Sequence, residues 1–412
     1  MNVLPLKKER LLLVILAAIQ FTNIVDFMIM MPMGDILKKS LHISPAKYGL
    51  LVSSYGIAAG ITSLLGVFYL DFLERKKALL MAYAGFILGT ACSAIIPNTS
   101  DADLNYKLFI CTRVFTGITG GLLGGLVLSI VGDVIPLERR GRAMAVVTIA
   151  FSLAAILGMP LSLWLVNAFD ENWHLPFYGV CALSIVVWPL ALRIIPTLNE
   201  HIAKAKQRSN AFETFRVAFT TPAQRSALLF TVLLVLGQFT VISFLTPYNV
   251  NNVGIAQKDI TYIYLVGGAA TVVSGFMIGR LVDKVGRFRV FTIFALLSII
   301  PVVVITNLPH SDLWVVLVIA AFFFVFISGR MIPANTITSA VVPPQHRAGF
   351  MSLNSACMSL ASGASALLAG SLITQADEHS PLQGFQYVGY VAAGATLLSL
   401  LLIRKMKALS AN

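Results

Sequence analysis

Residues 260–306 read ITYIYLVGGAATVVSGFMIGRLVDKVGRFRVFTIFALLSIIPVVVIT, which is two apolar runs joined by a short basic loop. Each run has about the twenty residues that an α-helix needs to cross the hydrocarbon of a bilayer. The stretch therefore predicts two membrane-crossing helices that form a hairpin.

The rest of the chain has the same character. Of its 412 residues, 57% are hydrophobic and 12% are charged, and the mean hydropathy is +0.84. A soluble protein has about a quarter of its residues charged. The composition therefore excludes a soluble globular protein, and the continuous apolar runs exclude an outer-membrane barrel, whose strands alternate apolar and polar residues. We predict an all-α membrane protein.

Twelve apolar runs are long enough to cross a bilayer. They are residues 11–33, 46–70, 77–97, 106–134, 143–168, 175–196, 225–250, 259–281, 288–308, 313–341, 348–375 and 384–404. The longest hydrophilic connection follows the sixth run, and Phe212, Phe215 and Phe219 in it are spaced for an amphipathic helix at the membrane surface. The predicted domains are an amino-terminal six-helix bundle (1–196), a linker (197–224) and a carboxy-terminal six-helix bundle (225–412).

The Lys and Arg residues near the span ends are concentrated on the side that carries both termini. We call this the terminal side and the other the opposite side. Cytoplasmic loops are enriched in Lys and Arg, so both termini are expected in the cytoplasm of a cell (inner) membrane. The net charge of +12 then reflects contact with a lipid surface, and no nucleic-acid partner is expected.

The two halves of the chain contain three matched pieces in the same order. The pairs are Gln20-Phe21-Thr22 with Gln238-Phe239-Thr240, Gly66…Asp71…Arg75 with Gly279…Asp283…Arg287, and Pro136-x2-Arg139-x-Gly141 with Pro344-x2-Arg347-x-Gly349. The offset between partners is nearly constant along the chain. An internal repeat of two six-helix halves is typical of secondary transporters.

The second loop of the repeat resembles the signature G-x-x-x-D-x-x-G-R-[RK] of the major facilitator superfamily, matching it at Gly279, Asp283, Gly286 and Arg287. The first copy departs from it, because Glu74 stands where the second glycine is expected. Arg113 and the glycine four residues later resemble the second motif of that family, R-x-x-x-G. The resemblance covers the whole chain and implies two pseudo-symmetric six-helix bundles, a central cavity and a monomer.

The signature loops predict a conformational latch. In each, an Asp at a helix end is placed to accept hydrogen bonds from a neighbouring helix N-terminus, where the helix dipole favours an anion. Nearby arginines can then pair across the seam between the bundles and favour the state closed to the cytoplasm. The latch residues are Asp71, Arg75, Asp283 and Arg287. The alternative is that these are ordinary basic turns.

Asp26, Arg113 and Arg330 are the ionisable residues well inside the apolar runs. A charge at the centre of a bilayer costs about 2.5–3.5 kcal/mol, so these groups should face the protein or a wet cavity. Asp26 and Arg113 lie at similar depth, and helices one and four are neighbours in the resembled fold, so we expect them to interact. Such a pair resembles that of drug/proton antiporters and implies a proton-coupling role for both. The alternative is a permanent ion pair that only fixes helix packing.

Arg330 has two interpretations that the sequence leaves open. It either contacts an anionic substrate or bonds to backbone carbonyls around Gly329 and Pro333. The other candidates for a substrate cavity are polar residues of the first, seventh, tenth and eleventh spans, each of which could instead bond helix to helix. They are Gln20, Asn23, Gln238, Tyr248, Asn249, Asn335 and Asn354. Met28, Met30, Met31 and Met33 are expected to face lipid or line an apolar pocket.

Three functions remain open at this stage. The first is a proton-coupled exporter of small amphipathic molecules, although Gly158-Met159-Pro160 matches the helix-five motif of antiporters only in part. The second is a facilitator or symporter of a metabolite or organic anion, and the third is a membrane receptor that transports nothing. The sequence has no metal cluster, nucleophile–base set or Walker motif, so no enzyme activity, metal or cofactor is expected. The expected partners are a small-molecule substrate, protons and the bilayer.

Overall fold

The computed structural model describes residues 5–97, 99, 101–198, 211–342, 347–377 and 380–409. This part of the chain is helical apart from turns and one isolated bridge between Thr374 and Gln383. Its α-helices are α1 Leu6–Met28, α2 Gly34–Ser40, α3 Pro45–Tyr69, α4 Arg75–Ala94, α5 Ala102–Val134, α6 Leu137–Leu153, α7 Met159–Ala168, α8 Leu175–Ile194, α9 Ala211–Thr220, α10 Pro222–Tyr248, α11 Ile260–Val285, α12 Arg287–Thr306, α13 Leu313–Ala340, α14 Arg347–Leu372 and α15 Phe385–Leu409.

Within the described residues, 12 segments are long and apolar enough to cross a membrane. The fifth of these comprises α6 and α7 together, whereas α2 and α9 are too short to span. The prediction of an all-α protein with twelve membrane-spanning helices in two six-helix bundles is therefore confirmed.

The first span ends earlier than the sequence predicts. α1 ends at Met28, and a turn leads into the short helix α2, which lies on the opposite side. Met30, Met31 and Met33 in this turn are at most 1% exposed, so the expectation that they face lipid is wrong. They are packed inside the protein because the chain folds back there over the end of the bundles.

The fifth span contains a break. A π-turn, Ala154–Gly158, separates α6 from α7. Pro160 follows this turn and has no backbone N–H to donate to the carbonyl of Ile156, which explains the local change in winding. A Cβ added to Gly158 would lie 2.5 Å from Val25 Cγ2, so only glycine lets the turn approach α1 this closely. The fifth span therefore contacts α1 at the residue just before Asp26.

The two bundles meet along two seams. In one, α3 packs on α14, with Gly56 against Gly363, because small residues let helix backbones approach closely. In the other, α7 and the π-turn pack on α11, with Gly268 against Ile156. The larger of two apolar clusters contains residues of both bundles, and the smaller lies in the second bundle and the linker helix.

The linker contains the amphipathic helix that its phenylalanines predict. α9 lies against α3, α10 and α14, and the ring of Phe215 is 5.7 Å from Phe68 and 5.1 Å from Phe219. Residues 199–210 of the predicted linker lie outside the described residues. The domain limits 1–196 and 225–412 stay predictions, with α8 ending at Ile194 and α10 beginning at Pro222.

Candidate functional site

Asp26 and Arg113 form an ion pair in the core of the first bundle. Arg113 Nη1 donates to Asp26 Oδ2 at 2.8 Å, and Nη2 donates to the backbone carbonyl of Asp26 at 3.1 Å. The two side chains are 0% and 1% exposed. Since each charge is costly to bury alone, each of the two residues supplies the compensation that the other needs.

Neighbouring helices complete the surroundings of this pair. Thr90 of α4 donates to Asp26 Oδ1 at 3.2 Å. The rings of Tyr55 and Phe177 lie 4.8 and 5.6 Å from Arg113 Cζ, within the range of cation–π interactions. Arg113 Nε has no hydrogen-bond partner among the described residues. Both carboxylate oxygens therefore accept a hydrogen bond, whereas Nε of the guanidinium donates none.

The glycine of the R-x-x-x-G motif explains why Tyr55 reaches Arg113. A Cβ added to Gly117 would lie 2.5 Å from the backbone oxygen of Tyr55. Because glycine is present instead, α5 can approach α3 closely enough to place the tyrosine ring against the guanidinium. The motif thus positions the aromatic neighbour of the buried charge.

Polar groups extend from the ion pair along α1. Tyr55 donates to Asn23 Oδ1 at 2.6 Å, and Asn23 Nδ2 donates to the carbonyl of Gly120 at 3.3 Å. One turn before Asn23, Gln20 has a buried amide oxygen with no partner among the described residues, and so does Gln238 at the matched position in α10. Two glutamines at repeat-related positions therefore have unused hydrogen-bonding capacity.

α1 and α10 face each other between the bundles. The rings of Phe27 and Phe239 are 5.8 Å apart, and Phe27 also lies 5.4 Å from the ring of Tyr55. Phe27 is the residue next to Asp26. The ion pair is therefore one residue away from the surface at which the two bundles contact each other.

Hydrogen bonds close the opposite side of the molecule. In the described part of the chain, four hydrogen bonds between the bundles lie on that side: Asn251 to Asp35 at 2.5 Å, Lys38 to Gln375 at 2.7 Å, Asn167 to Thr261 at 3.3 Å and Tyr48 to the carbonyl of Ser243 at 3.3 Å. Tyr48 also lies 3.0 Å from the carbonyl of Met30, so its single proton is shared between the two bundles.

Arg330 lies in the core of the second bundle and is 0% exposed. Its Nη1 donates to Ser298 Oγ at 3.2 Å and to Thr396 Oγ1 at 2.7 Å. The guanidinium therefore bonds to hydroxyl groups of α12 and α15, and no bond to the carbonyls around Gly329 and Pro333 is present among the described residues. The distance along α13 fixed its depth but could not fix which helices it faces.

Several predicted cavity residues lie elsewhere. Tyr248, at the opposite-side end of α10, donates to the carbonyl of Leu308, and Asn249 donates to the carbonyl of Leu245. Asn354 accepts a hydrogen bond from Thr231 at 2.7 Å, and Asn335 is exposed. The structure thus brings Asn23 into the cluster around Arg113, whereas Asn354 bonds helix to helix and Tyr248 bonds a helix to a loop.

Two arginines of the predicted latch contact residues of their own bundle here. Arg75 Nε is 3.4 Å from Asp133 Oδ2 of the same bundle, Asp283 is exposed, and Arg287 lies over the ring of Phe288. The side chain of Asp71 is outside the described set. The latch is expected in a state closed on the terminal side, so it stays a prediction for that state.

Sequence reasoning missed Thr90, Tyr55 and the Asp35–Asn251 contact. A threonine or tyrosine in an apolar run gives no signal of its own, because both residue types are common in membrane helices. Asp35 lies between the first two predicted spans, and only the fold-back of α2 over the bundles shows that it is 2% exposed. Within the described residues there is no group of His, Cys, Asp and Glu that could hold a metal ion.

Comparisons with known proteins agree with this architecture. The family model described as Major Facilitator Superfamily matches residues 16–323 and 228–410. The chain is similar to the crystal structure of a D-xylose-proton symporter, with TM-score 0.75, 17% identity and 95% of this chain and 96% of the other covered.

Two further solved structures are similar over nearly the whole length. The nucleoside transporter NupG has TM-score 0.69 and 17% identity, with 98% of this chain and 99% of the other covered. A POT family transporter in complex with 5-aminolevulinic acid has TM-score 0.71 and 15% identity, with 96% of each chain covered. The family match, the twelve membrane-spanning helices and the two packed bundles together show that this chain belongs to the major facilitator superfamily and is a multi-pass membrane transporter.

Proposed function

We propose that this protein is a proton-coupled symporter of a small polar metabolite. It would work by alternating access, with a substrate site between the two bundles. The observation that carries the proposal is the fully buried Asp26–Arg113 pair beside the contact between α1 and α10. An ionisable pair inside the membrane marks a proton or substrate pathway by default.

The coupling step follows from the contacts of Asp26. When the carboxylate takes up a proton, its attraction to Arg113 falls and the guanidinium loses its counter-ion. Arg113 can then turn towards other acceptors, because its Nε is already without a partner among the described residues. Protonation would therefore loosen the packing of α1 against α5 without requiring any change in covalent structure.

α1 connects the protonation of Asp26 to the hydrogen bonds that close the opposite side of the molecule. Met30 lies one turn after Asp26, and its carbonyl shares the Tyr48 proton with Ser243 of the other bundle. A shift of α1 would change this sharing and weaken the contact between the bundles. We therefore expect protonation of Asp26 to favour opening on the opposite side, where proton and substrate would enter together.

The direction of transport distinguishes symport from the export first suggested by the antiporter-like Asp–Arg pair. The similar solved structures are a nucleoside transporter, a D-xylose-proton symporter and a POT family transporter in complex with 5-aminolevulinic acid, which supports a polar metabolite rather than a drug as substrate. In symport, a proton gradient drives a substrate in the same direction as the proton. In antiport, the same gradient drives it the other way.

The test uses protein reconstituted in liposomes with an imposed pH gradient. Radiolabelled xylose, uridine and 5-aminolevulinate serve as probes, and accumulation is compared between wild type, Asp26→Asn and Asp312→Asn. Asp312 is an exposed Asp that makes no capping hydrogen bond, so its replacement is a matched control. We expect Asp26→Asn to abolish accumulation driven by the gradient while exchange of internal for external probe continues.

Either of two results would refute the proposal. One is accumulation by Asp26→Asn at the wild-type rate under the same gradient. The other is expulsion of every transported probe against the direction of proton flow, which would support the antiporter instead.

A further inference from the structure

Arg330 has an unused pair of donors that point the same way. Its Nη1 is bonded to Ser298 and Thr396, whereas Nε and Nη2 have no hydrogen-bond partner among the described residues. Nε–H and one Nη2–H lie side by side along one edge of a guanidinium and form the fork that binds both oxygens of a carboxylate. The unsatisfied atoms are thus a complete bidentate site.

The two bundles differ in how they balance a buried arginine. In the first, Arg113 has the carboxylate of Asp26 at 2.8 Å. In the second, the hydroxyl groups that contact Arg330 carry no charge, and no ion pair to Arg330 is present among the described residues. Burying a charge without a counter-ion is costly, and an arginine cannot escape by losing its proton. The second bundle therefore lacks one negative charge.

The free edge of Arg330 lies beside Gly237 of α10. Nη2 is 3.6 Å from the point where a Cβ of Gly237 would be. The next two residues are Gln238, whose amide oxygen has no partner in the described part of the chain, and Phe239, which contacts Phe27 across the bundles. A Cβ at position 237 would meet oxygen atoms of α15 at 3.1 and 3.2 Å, so glycine lets α10 pack directly beside the guanidinium. α10 therefore connects the free edge of the guanidinium to the surface between the bundles.

We propose that Arg330 binds the carboxylate of the transported substrate, with the free amide oxygen of Gln238 accepting a hydrogen bond from the same molecule. The inference rests on the proposed transport function and names its substrate class: small metabolites that carry a carboxylate. The bound carboxylate supplies the negative charge that the second bundle lacks. The site therefore prefers an anion to a neutral polar group.

Binding is tested on purified full-length protein in nanodiscs by titration calorimetry and thermal melting. The probes are matched pairs that differ in charge: 5-aminolevulinate with its methyl ester, glucuronate with glucose, and orotate with uracil. Separate titrations with sodium chloride and sodium sulfate test whether free inorganic anions bind to the same site. We expect at least one acid to bind wild type about tenfold more tightly than its neutral partner.

Three variants assign this preference to Arg330. Arg330→Gln should remove it, whereas Arg330→Lys, which keeps the buried charge but not the fork, should retain folding and reduce the preference. Arg225→Gln makes the same change at an exposed arginine of the same bundle and should bind as wild type does.

Several results would overturn the inference. They are an unchanged preference in Arg330→Gln, neutral probes that bind as tightly as the acids, no binding of any acid, or stabilisation by chloride or sulfate with nothing added by the acids. Proton-driven uptake of a neutral probe with no role for Arg330 would refute this inference and leave the proposed symport intact.

Discussion

Replacing Asp26 with Asn tests how strongly the buried pair is coupled. The carboxylate accepts hydrogen bonds from Arg113 at 2.8 Å and Thr90 at 3.2 Å, and neither member of the ion pair is more than 1% exposed. Asn keeps nearly the same shape but leaves Arg113 without a counter-ion. Removing one partner of a buried ion pair costs about 3–5 kcal/mol. The amide oxygen keeps one neutral hydrogen bond, worth about 1 kcal/mol, so a loss of about 2–4 kcal/mol is expected.

The reverse replacement, Arg113→Gln, should cost less. A buried carboxyl that loses its cation can take up a proton and become neutral, whereas a guanidinium cannot release one. The penalty of Arg113→Gln should therefore shrink as the pH is lowered, while that of Asp26→Asn stays. The double variant buries no charge at this site. Its loss of unfolding free energy should therefore be smaller than the sum of the two single losses by about 3 kcal/mol.

The assay is equilibrium unfolding in mixed micelles, followed by tryptophan fluorescence. Wild type, the two single variants and the double variant are measured at neutral and acidic pH. The reasoning is refuted if the two single losses add up to the loss of the double variant, because additive losses mean that the two side chains do not depend on each other in the folded state.

Three other predictions follow from contacts elsewhere. Gly158→Ala places a Cβ 2.5 Å from Val25 Cγ2, so it should slow transport in liposomes, and Val25→Ala in the same chain should restore the rate; a failure of rescue contradicts the close-approach argument. Asn251→Ala removes the hydrogen bond to the buried carboxylate of Asp35 and should speed hydrogen exchange at the opposite-side end of α10, whereas unchanged exchange would show that this bond does not hold the bundles together. Burial lowers the pKa of His174 from its ordinary 6.5, so the unfolded chain binds more protons than the folded one and stability should fall as the pH drops below 6.5. The melting temperature of His174→Gln should therefore fall less on acidification than that of wild type. An equal fall in both proteins would contradict a lowered pKa for His174.

The sequence predicted the architecture because the bilayer imposes strong constraints. Run length fixed the twelve spans, and the internal repeat indicated two bundles. Depth along each helix also predicted that Asp26 and Arg113 lie at the same level, where the structure pairs them.

What the sequence could not give was the lateral arrangement of the helices. The rotation of each helix about its axis decides which side chains meet: Arg330 faces Ser298 and Thr396, and Thr90 reaches Asp26. A helix that is apolar on every face gives no sequence pattern from which this rotation can be predicted. The end of α1 at Met28 depends on α2 folding over the bundles, which is a tertiary contact and not a local propensity.

The central claim is that protonation of Asp26 opens the opposite side of the molecule. Spin labels at Lys107 and Asp312 report it directly, because both residues are exposed on that side and belong to different bundles. The background carries replacements of the four native cysteines, which are Cys92, Cys111, Cys181 and Cys357. Distances are measured by pulsed electron resonance in nanodiscs without substrate, in alkaline and acidic buffer.

In wild type, the distance between the two spin labels should increase on acidification, because the opposite side opens. Asp26→Asn, which mimics the protonated carboxyl, should show the longer distance in both buffers. A variant that keeps the wild-type response to acid would contradict the account, because the proton that moves the bundles would then bind elsewhere.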